Sequence, residues 1–168
     1  MKLKTIDKAL YRKRMNILIG VNLTVLMVTA LSVSNILIHY FGGPDGSNFW
    51  LNVGGVVAAI AVVSLMFYTI KDKPFMEEIN YVRGLKAELN RIYRKSAKLE
   101  KALGDKKEFA FIISYFNLQA SKQIYQLDDN TLTLPELNEK IEILDGQIAE
   151  QGLEISVEDY RSSFLDQL

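Results

Sequence analysis

The stretch NILIGVNLTVLMVTALSVSNILIHY, residues 16–40, decides the fold of this chain, because it contains no Asp, Glu, Lys or Arg. As an α-helix, these 25 residues extend about 37 Å, which exceeds the roughly 30 Å of a bilayer's hydrocarbon core. Backbone N–H and C=O groups in lipid must pair within their own segment, so the stretch is expected to be helical despite its many Val and Ile residues. We therefore predict a first transmembrane helix at residues 16–40.

A second apolar stretch, FWLNVGGVVAAIAVVSLMFYTI at residues 49–70, has the same character. Its 22 residues extend about 33 Å as a helix. Residues 41–48 between the two stretches, FGGPDGSN, consist mostly of Gly, Pro and small polar residues, which form turns. Since this loop is too short to hold a domain, we predict a second transmembrane helix at 49–70 and a two-helix transmembrane hairpin.

The Lys and Arg residues near the helix ends indicate the orientation of the hairpin. Residues 1–15 carry six of them, the loop at 41–48 carries none, and residues 71–90 carry four. Because cytoplasmic flanks are the basic ones, we predict a basic cytoplasmic N-terminal segment at 1–15, a short periplasmic loop at 41–48 and a cytoplasmic C-terminus. A signal peptide cleaved near Ala30 is the alternative, but the apolar stretch continues well past that residue.

The remaining residues, 71–168, are predicted to form a cytoplasmic all-α domain of about four helices. Pro74 suits the first turn of a helix and Gly104 suits a helix end, which together indicate one amphipathic helix between them. Asp105 and Thr133 each begin a pattern with Glu three residues later, which is typical of a capping box. The predicted helices cover roughly residues 74–104, 105–127, 133–152 and 156 onward.

Apolar residues in the first of these helices follow a three-four spacing over about three heptads. They are Val82, Leu85, Leu89, Ile92, Leu99 and Leu103, with Ser96 in the one gap. This spacing is compatible with a coiled-coil seam and also with a helix that packs against its own domain. The helix at 105–127 carries apolar residues around most of its circumference, so we predict it as the buried centre of the domain.

Charge is unevenly distributed along the predicted cytoplasmic domain. Residues 71–110 hold 11 basic and 7 acidic residues, a net charge of +4, whereas residues 111–168 hold 3 basic and 11 acidic residues, a net charge of −8. The basic part adjoins the membrane, where anionic lipids attract Lys and Arg. Since no nucleic-acid-binding module is recognisable, the expected partner is the lipid bilayer and not nucleic acid.

The residue types that most active sites and metal sites need are scarce. The chain has no cysteine, which excludes disulfides and thiolate ligands, and its one histidine, His39, lies at the end of the first apolar stretch. No phosphate-binding glycine motif occurs, and the acidic segment at 128–139 lacks the glycine of a calcium loop. We therefore predict no catalytic, cofactor-binding or metal-binding residues and no enzymatic activity.

Small residues in the second apolar stretch allow two interpretations. Gly54 and Ala58, and likewise Gly55 and Ala59, are separated by three residues, a spacing that permits close helix approach. The helix that approaches is either the first helix of the same chain or a helix of a second copy.

Three amides also lie within the apolar stretches, at Asn22, Asn35 and Asn52. Amide side chains in membrane helices commonly hydrogen-bond a neighbouring helix. They also provide weak support for a channel-like role, in which several copies would surround a polar path, because two helices alone cannot enclose a pore.

Several short strings occur together along nearly the whole chain. They are IDK at 6–8, YRK at 11–13, NFWLNVGGV at 48–56, KPFM at 73–76, YVRGLK at 81–86, NRIYRK at 90–95 and LDDNT at 127–131. With these strings the chain resembles a gammaproteobacterial family of small two-pass membrane proteins catalogued as a domain of unknown function. The resemblance implies a bacterial inner membrane and no particular activity, so no functional residues are carried over from it.

The lack of catalytic chemistry, the apolar seam and the close-packing second helix together predict a membrane-anchored interaction or scaffold module. Its cytoplasmic helices are expected to bind a protein partner or to self-associate into a homo-oligomer. A subunit of an oligomeric channel or transport complex is the alternative function.

Overall fold

The computed structural model describes residues 2–43 and 46–168, and over these residues the chain is all-α, as predicted. This part contains no β-strand, and its regular structure consists of six α-helices and three short 3₁₀-helices. The α-helices are α1 (Lys8–Phe41), α2 (Phe49–Ile70), α3 (Glu77–Tyr93), α4 (Ser96–Gly104), α5 (Glu108–Leu127) and α6 (Leu134–Glu150), and the 3₁₀-helices are Pro74–Met76, Val157–Asp159 and Ser162–Gln167. Pro44 and Asp45 of the predicted loop, and Met1 of the predicted N-terminal segment, lie outside the described residues.

The chain forms two compact units. The apolar unit comprises residues 9–80, and it contains most of α1 and all of α2. The polar unit combines the N-terminal residues 2–8 with residues 81–168, so it is discontinuous in sequence. Residues from both sides of the two apolar helices therefore build one unit.

In the apolar unit, α1 is longer than the predicted span and α2 has the predicted bounds. α1 begins at Lys8 because residues 8–15 are mostly Ala, Leu, Lys, Arg and Met, which have good helix propensity. The two helices contact each other, and the Ser34 hydroxyl donates a hydrogen bond to the Asn52 carbonyl at 3.4 Å. The basic N-terminal segment is thus partly helical and continuous with the apolar stretch.

The centre of the polar unit is α5, as the sequence predicts. This helix packs against α4, α6 and both C-terminal 3₁₀-helices. Ile113, Phe116 and Ala120 are completely buried on it. Tyr160 and Leu165 from the C-terminal segment belong to the same core cluster. Burial on several sides explains why apolar residues cover most of the circumference of α5.

The prediction of one continuous helix over residues 74–104 is wrong. The helix is broken between α3 and α4, at Arg94 and Lys95. The Lys95 amide bonds the Ile92 carbonyl three residues back, and α-helical bonding resumes where the Leu99 amide bonds the Lys95 carbonyl. Neither Gly nor Pro occurs at this position, so the usual breaker signals do not mark it.

The apolar seam of α3 and α4 is used inside the polar unit. Leu85, Ile92 and Leu99 are 0%, 1% and 7% exposed, and all three belong to the core cluster around α5. This burial favours packing against the chain's own domain over a coiled-coil seam as the explanation of the spacing.

The connection between α4 and α5 also differs from the prediction, in which Gly104 ends one helix and Asp105 caps the next. The residue with positive φ is Lys106, at 54°, and Lys107 precedes α5 without a side-chain cap. The amides of Lys106 and Lys107 bond carbonyls in the last turn of α4, which makes the two bonds of a Schellman motif. A lysine therefore occupies the left-handed position that usually holds glycine.

Replacing Lys106 by glycine is expected to stabilise the protein by about 1 kcal/mol, because glycine adopts positive φ without the Cβ contact that disfavours other residues. Lys101→Gly is the matched control, since Lys101 lies inside α4, where glycine should cost about 1 kcal/mol. Thermal or chemical denaturation in detergent should therefore shift the free energy of unfolding in opposite directions. Destabilisation of both variants would contradict the geometry of this helix end.

Both ends of α6 lie where the sequence predicts them. Thr133 precedes the helix, although its side chain makes no capping hydrogen bond, so the predicted capping box is not formed. At the other end Gly152 has a φ of 64°. Ser156 and Asp159 form a complete capping box at the next 3₁₀-helix. The residues at the helix ends thus predict where α6 begins and ends, even though Thr133 makes no capping hydrogen bond.

Candidate functional site

α1 and α2 expose much of their apolar surface. In each helix only 11% of the most apolar 18-residue stretch is buried. Leu23, Met27, Leu31, Val57 and Leu65 are among the exposed side chains. Large exposed apolar surfaces mark places that contact another protein, a ligand or a membrane. By length and composition, both helices are able to cross a membrane.

α2 approaches α1 closely at Gly55. A Cβ atom added there would lie 2.7 Å from the Ala30 carbonyl oxygen and 2.9 Å from the Ser34 amide nitrogen. Ala59, one turn further along α2, is fully buried. At Gly55, therefore, the small residue allows α2 to pack closely against α1 of the same chain.

The polar residues of the apolar helices lie in different surroundings. The side-chain oxygen of Asn22 is buried and accepts no hydrogen bond from residues 2–43 or 46–168, whereas Asn35 and Asn52 are exposed. His39 is also exposed, and its ring lies edge-on to Tyr40 with the ring centroids 5.1 Å apart. The three amides thus do not share one environment within the chain.

Arg14 connects the start of α1 to the segment that follows α2. Its guanidinium donates a hydrogen bond to the Pro74 carbonyl at 2.9 Å and forms an ion pair with Glu78. The same guanidinium lies 5.9 Å from the centre of the Phe75 ring. One of the predicted basic residues of the N-terminal segment is therefore engaged inside the apolar unit.

The N-terminal residues are bound along the polar unit. The Lys4 amide donates a hydrogen bond to the Tyr81 hydroxyl at 2.9 Å, and the Gln123 side chain donates one to the Lys4 carbonyl at 2.6 Å. Leu3 packs against the core cluster. This segment is thus a structural part of the unit that residues 81–168 form.

A buried polar cluster surrounds Glu88 on α3, which is 7% exposed. The Tyr160 hydroxyl donates a hydrogen bond to one carboxylate oxygen at 2.6 Å, and the Arg91 guanidinium donates one to the other oxygen at 2.9 Å. The Tyr160 ring stacks on Phe116 with a centroid distance of 3.9 Å. The cluster thereby joins α3, α5 and the C-terminal segment.

The two acidic groups of this cluster have shifted pKa values. Burial alone would raise the pKa of Glu88, but hydrogen bonds from Ser162, Tyr160 and Arg91 outweigh it and hold this pKa below its ordinary value. Burial, together with the hydrogen bond to Glu88, raises the pKa of Tyr160. Glu88 is therefore ionised and Tyr160 neutral near pH 7, which suits a structural pair, because a catalytic acid or base needs a pKa near the working pH.

An open groove, here called the interhelix groove, runs along the polar unit between α3 and α4 on one side and α6 on the other, with α5 between them. It consists of three adjoining cavities of about 730, 360 and 390 Å³. The first and second cavities share Leu118, and the second and third share Leu103. Tyr93 and Ile143 line it and are 75% and 55% exposed. The groove is the candidate binding surface of this unit.

No metal-binding cluster of three or more His, Asp or Glu side chains is found in residues 2–43 and 46–168. The acidic segment at 128–139 instead contains a helix end, an interhelical connection and the first turns of α6. Asp128 pairs with Lys86 at 2.7 Å, and Asp129 has a positive φ of 56°. Asp128 and Asp129 therefore have structural roles at the end of α5.

Comparison with known proteins confirms the resemblance to a family of unknown function. The family model described as "Protein of unknown function (DUF3087)" matches residues 1–165. No curated protein and no solved structure matches the chain. Because the match covers nearly the whole chain, the protein belongs to the DUF3087 family.

Proposed function

We propose that the protein is integral to a gammaproteobacterial inner membrane, where α1 and α2 form a two-helix transmembrane hairpin with both termini in the cytoplasm. Its role is that of a membrane-anchored interaction or scaffold module without catalytic activity of its own. The lipid bilayer is its first partner, and a protein bound by the polar unit is its second.

The discontinuous polar unit carries this proposal. Residues 2–8 precede α1 and residues 81–168 follow α2, yet they pack as one unit. A chain that leaves this unit, enters a bilayer and returns to the same unit must cross the bilayer an even number of times. Two apolar helices that form one hairpin give two crossings and so meet this condition. The basic flanks and the loop without Lys or Arg favour the cytoplasm for that side.

The surfaces of α1 and α2 support insertion into lipid. Their exposed apolar side chains would contact acyl chains, so insertion removes a large apolar area from water. Tyr40 and Phe41 at the end of α1, with Phe49 and Trp50 at the start of α2, are 60–77% exposed. Aromatic residues of this kind concentrate where membrane helices meet the headgroups.

Single-cysteine labelling tests this topology, and the chain has no native cysteine to interfere. In cells with a permeabilised outer membrane, Ser47→Cys in the loop is expected to react with a membrane-impermeant maleimide. Ser163→Cys near the C-terminus is expected to react only after the inner membrane is opened. Both serines are exposed, so the difference reports the side of the membrane.

Thr5→Cys extends the test to the N-terminal side and should behave like Ser163→Cys. Labelling of Ser163→Cys while the inner membrane is intact would show the opposite orientation. Release of the protein from membranes by alkaline carbonate would refute membrane insertion altogether.

The interhelix groove supports the interaction role, because apolar side chains that line it are exposed. The groove belongs to the polar unit, which contains none of α2 and only the first residue of α1. In-cell crosslinking of the tagged protein in its native membrane, followed by mass spectrometry, tests this role. A specific captured protein, or self-crosslinked copies, supports it. A monomer without any captured protein overturns it.

A channel or transport subunit is the alternative, and the exposed amides of Asn35 and Asn52 favour it, because helices of neighbouring copies could hydrogen-bond with them. Replacement of Asn22, Asn35 and Asn52 by leucine tests this function. Unchanged membrane permeability and growth would remove the alternative.

A further inference from the structure

We propose that α1 packs against α1 of a second copy of this chain through a polar stripe, which consists of Ser32, Asn35 and His39. The contact makes a two-fold symmetric dimer within the membrane. The inference rests on the proposed membrane insertion and names the partner and the surface of self-association. It is supported by the position of the polar stripe on α1, by the hydrogen-bonding groups of Ser32 and Asn35 and by the equal depth of the stripe in every copy.

The polar stripe lies on the side of α1 that faces away from α2. Its residues are separated by three and four positions, a spacing that places side chains on one face of an α-helix. Ala30 and Ser34 lie against Gly55 of α2. These two residues come two positions before and after Ser32, about 200° around the helix from it. All three side chains of the stripe are exposed, so α2 leaves this face of α1 uncovered.

Two residues of the polar stripe lie within the hydrocarbon core of the proposed membrane. Residues 16–40 extend about 37 Å, so they pass the roughly 30 Å core by a few ångströms at each end. With this helix centred, Ser32 lies about 9 Å and Asn35 about 4–5 Å inside the core, whereas His39 lies at its edge. Acyl chains offer these side chains neither a donor nor an acceptor, so a neighbouring helix should supply both.

The hydroxyl of Ser32 differs from the other exposed serine and threonine hydroxyls of α1 and α2. Thr24, Ser64 and Thr69 each donate a hydrogen bond to a carbonyl of their own helix, at 2.9, 2.7 and 2.7 Å. Ser32 makes no such bond in the part of the chain that the structure describes, and neither does the side-chain amide of Asn35. Both groups are therefore available to a neighbouring helix.

A second copy of this chain fits the polar stripe by symmetry. Serine and asparagine side chains each contain a donor and an acceptor, so two identical stripes complement each other without any charge. Copies inserted in the same orientation hold Ser32 and Asn35 at the same depth, and a two-fold axis along the membrane normal brings each residue opposite its own copy. Val28 and Ile36 beside the stripe are 59% and 56% exposed and would pack across the same axis. Such a dimer needs no pore, so it extends the interaction role.

Disulfide crosslinking of the full chain in its native membrane tests this dimer, since the chain has no native cysteine. Val28→Cys places a thiol one turn before Ser32 and leaves the polar stripe unchanged, so oxidation with copper phenanthroline is expected to give a homodimer. Val57→Cys is the matched control for collision. Val57 is 60% exposed and comes two positions after Gly55, on the side of α2 away from α1. We expect this control to give at least roughly tenfold less dimer at the same oxidation time.

Substitutions of Asn35 in the Val28→Cys background then test the polar stripe itself. Asn35→Leu should reduce the dimer yield roughly tenfold, because a two-fold contact loses two hydrogen bonds and each changes the association of membrane helices roughly threefold. Asn35→Gln keeps an amide at this position and should retain most of the yield. Asn52→Leu is the matched control, since it removes an exposed amide of α2 outside the stripe and should leave the yield unchanged.

The outcomes decide between a dimer through the polar stripe and the alternatives. A dimer at position 28 that falls with Asn35→Leu, but not with Asn35→Gln or Asn52→Leu, supports the proposal. Equal yields at positions 28 and 57, an unchanged yield with Asn35→Leu, or a disulfide from position 28 to a different protein overturns it. Alkaline carbonate extraction of each variant keeps the two proposals apart, because release from the membrane counts against the proposed membrane function itself.

Discussion

Replacing Gly55 by alanine is expected to loosen the packing of α2 on α1 and to lower the melting temperature of the purified protein in detergent by about 3–10 °C. The added methyl group would meet the Ala30 carbonyl oxygen at 2.7 Å and the Ser34 amide nitrogen at 2.9 Å. Both atoms belong to the backbone of α1, which cannot turn aside as a flexible side chain can. The helices must therefore separate, and overpacking of this kind costs about 1–3 kcal/mol.

Two other glycines in the same helices serve as controls. A Cβ atom added at Gly20 meets nothing within 4 Å, so Gly20→Ala should leave the melting temperature unchanged or raise it. At Gly54 the Cβ would meet only the end of the Leu37 side chain, at 3.1 Å, which can rotate away. Equal melting temperatures for Gly55→Ala and Gly20→Ala would mean that α1 and α2 do not pack at Gly55.

Replacing Tyr160 by alanine should lower the free energy of unfolding of the polar unit by about 3–5 kcal/mol. The ring is 2% exposed and stacks on Phe116 at 3.9 Å, so its removal leaves a cavity in the core. The change also removes the hydroxyl that donates to Glu88 at 2.6 Å. Tyr160→Phe separates the two effects, because it keeps the ring and leaves one carboxylate oxygen without this donor, at a cost of about 1.5–3 kcal/mol.

Urea unfolding followed by circular dichroism measures both costs. Leu132→Ala is the control, since this side chain is 92% exposed and its truncation should change little. If Tyr160→Phe is as stable as the unmodified protein, Arg91 and Ser162 satisfy Glu88 without the tyrosine. If Tyr160→Ala is also unchanged, the C-terminal segment does not stabilise the unit.

The all-helical fold was predictable because its strongest signals are long and local. Each of the two uninterrupted apolar stretches is long enough to cross a bilayer as a helix, which predicts two long helices, and the bounds of α2 follow directly from its composition. The central position of α5 was also predictable, since apolar residues around a whole helix require neighbours on several sides. Gly152 marks the end of α6 by the same kind of local rule.

The errors occur where tertiary contacts decide the local structure. The break after Tyr93 has no breaker residue, but the Lys95 side chain donates a hydrogen bond to the Leu165 carbonyl, a residue distant in sequence. The backbone of Lys106 adopts the left-handed conformation, although a glycine, Gly104, lies two positions earlier. A capping pattern covers only the residues around one helix end, so it does not predict contacts with residues distant in sequence.

The candidate surfaces were less predictable than the fold. The interhelix groove is defined by the space that α3, α4 and α6 leave open around α5, and no periodicity encodes that space. Glu88, in contrast, had a signal, because it lies three residues after Leu85 and four before Ile92, on the apolar stripe of its helix. A charge at such a position calls for a buried partner, and Tyr160 is too far along the chain for that partner to be identified by spacing.

Because the polar unit is built from two separate parts of the chain, its contacts must form in a certain order during synthesis. Lys4 pairs with Gln123, Lys8 with Asp129 and Lys2 with Glu158. Residues 2–8 are synthesised well before residues 123–158, so they must wait for these later residues before their contacts can form. Closing contacts over such separations is slow compared with forming helices. The core that receives Leu3 thus stays open throughout the synthesis of α1 and α2, and it closes only once both apolar helices have been made.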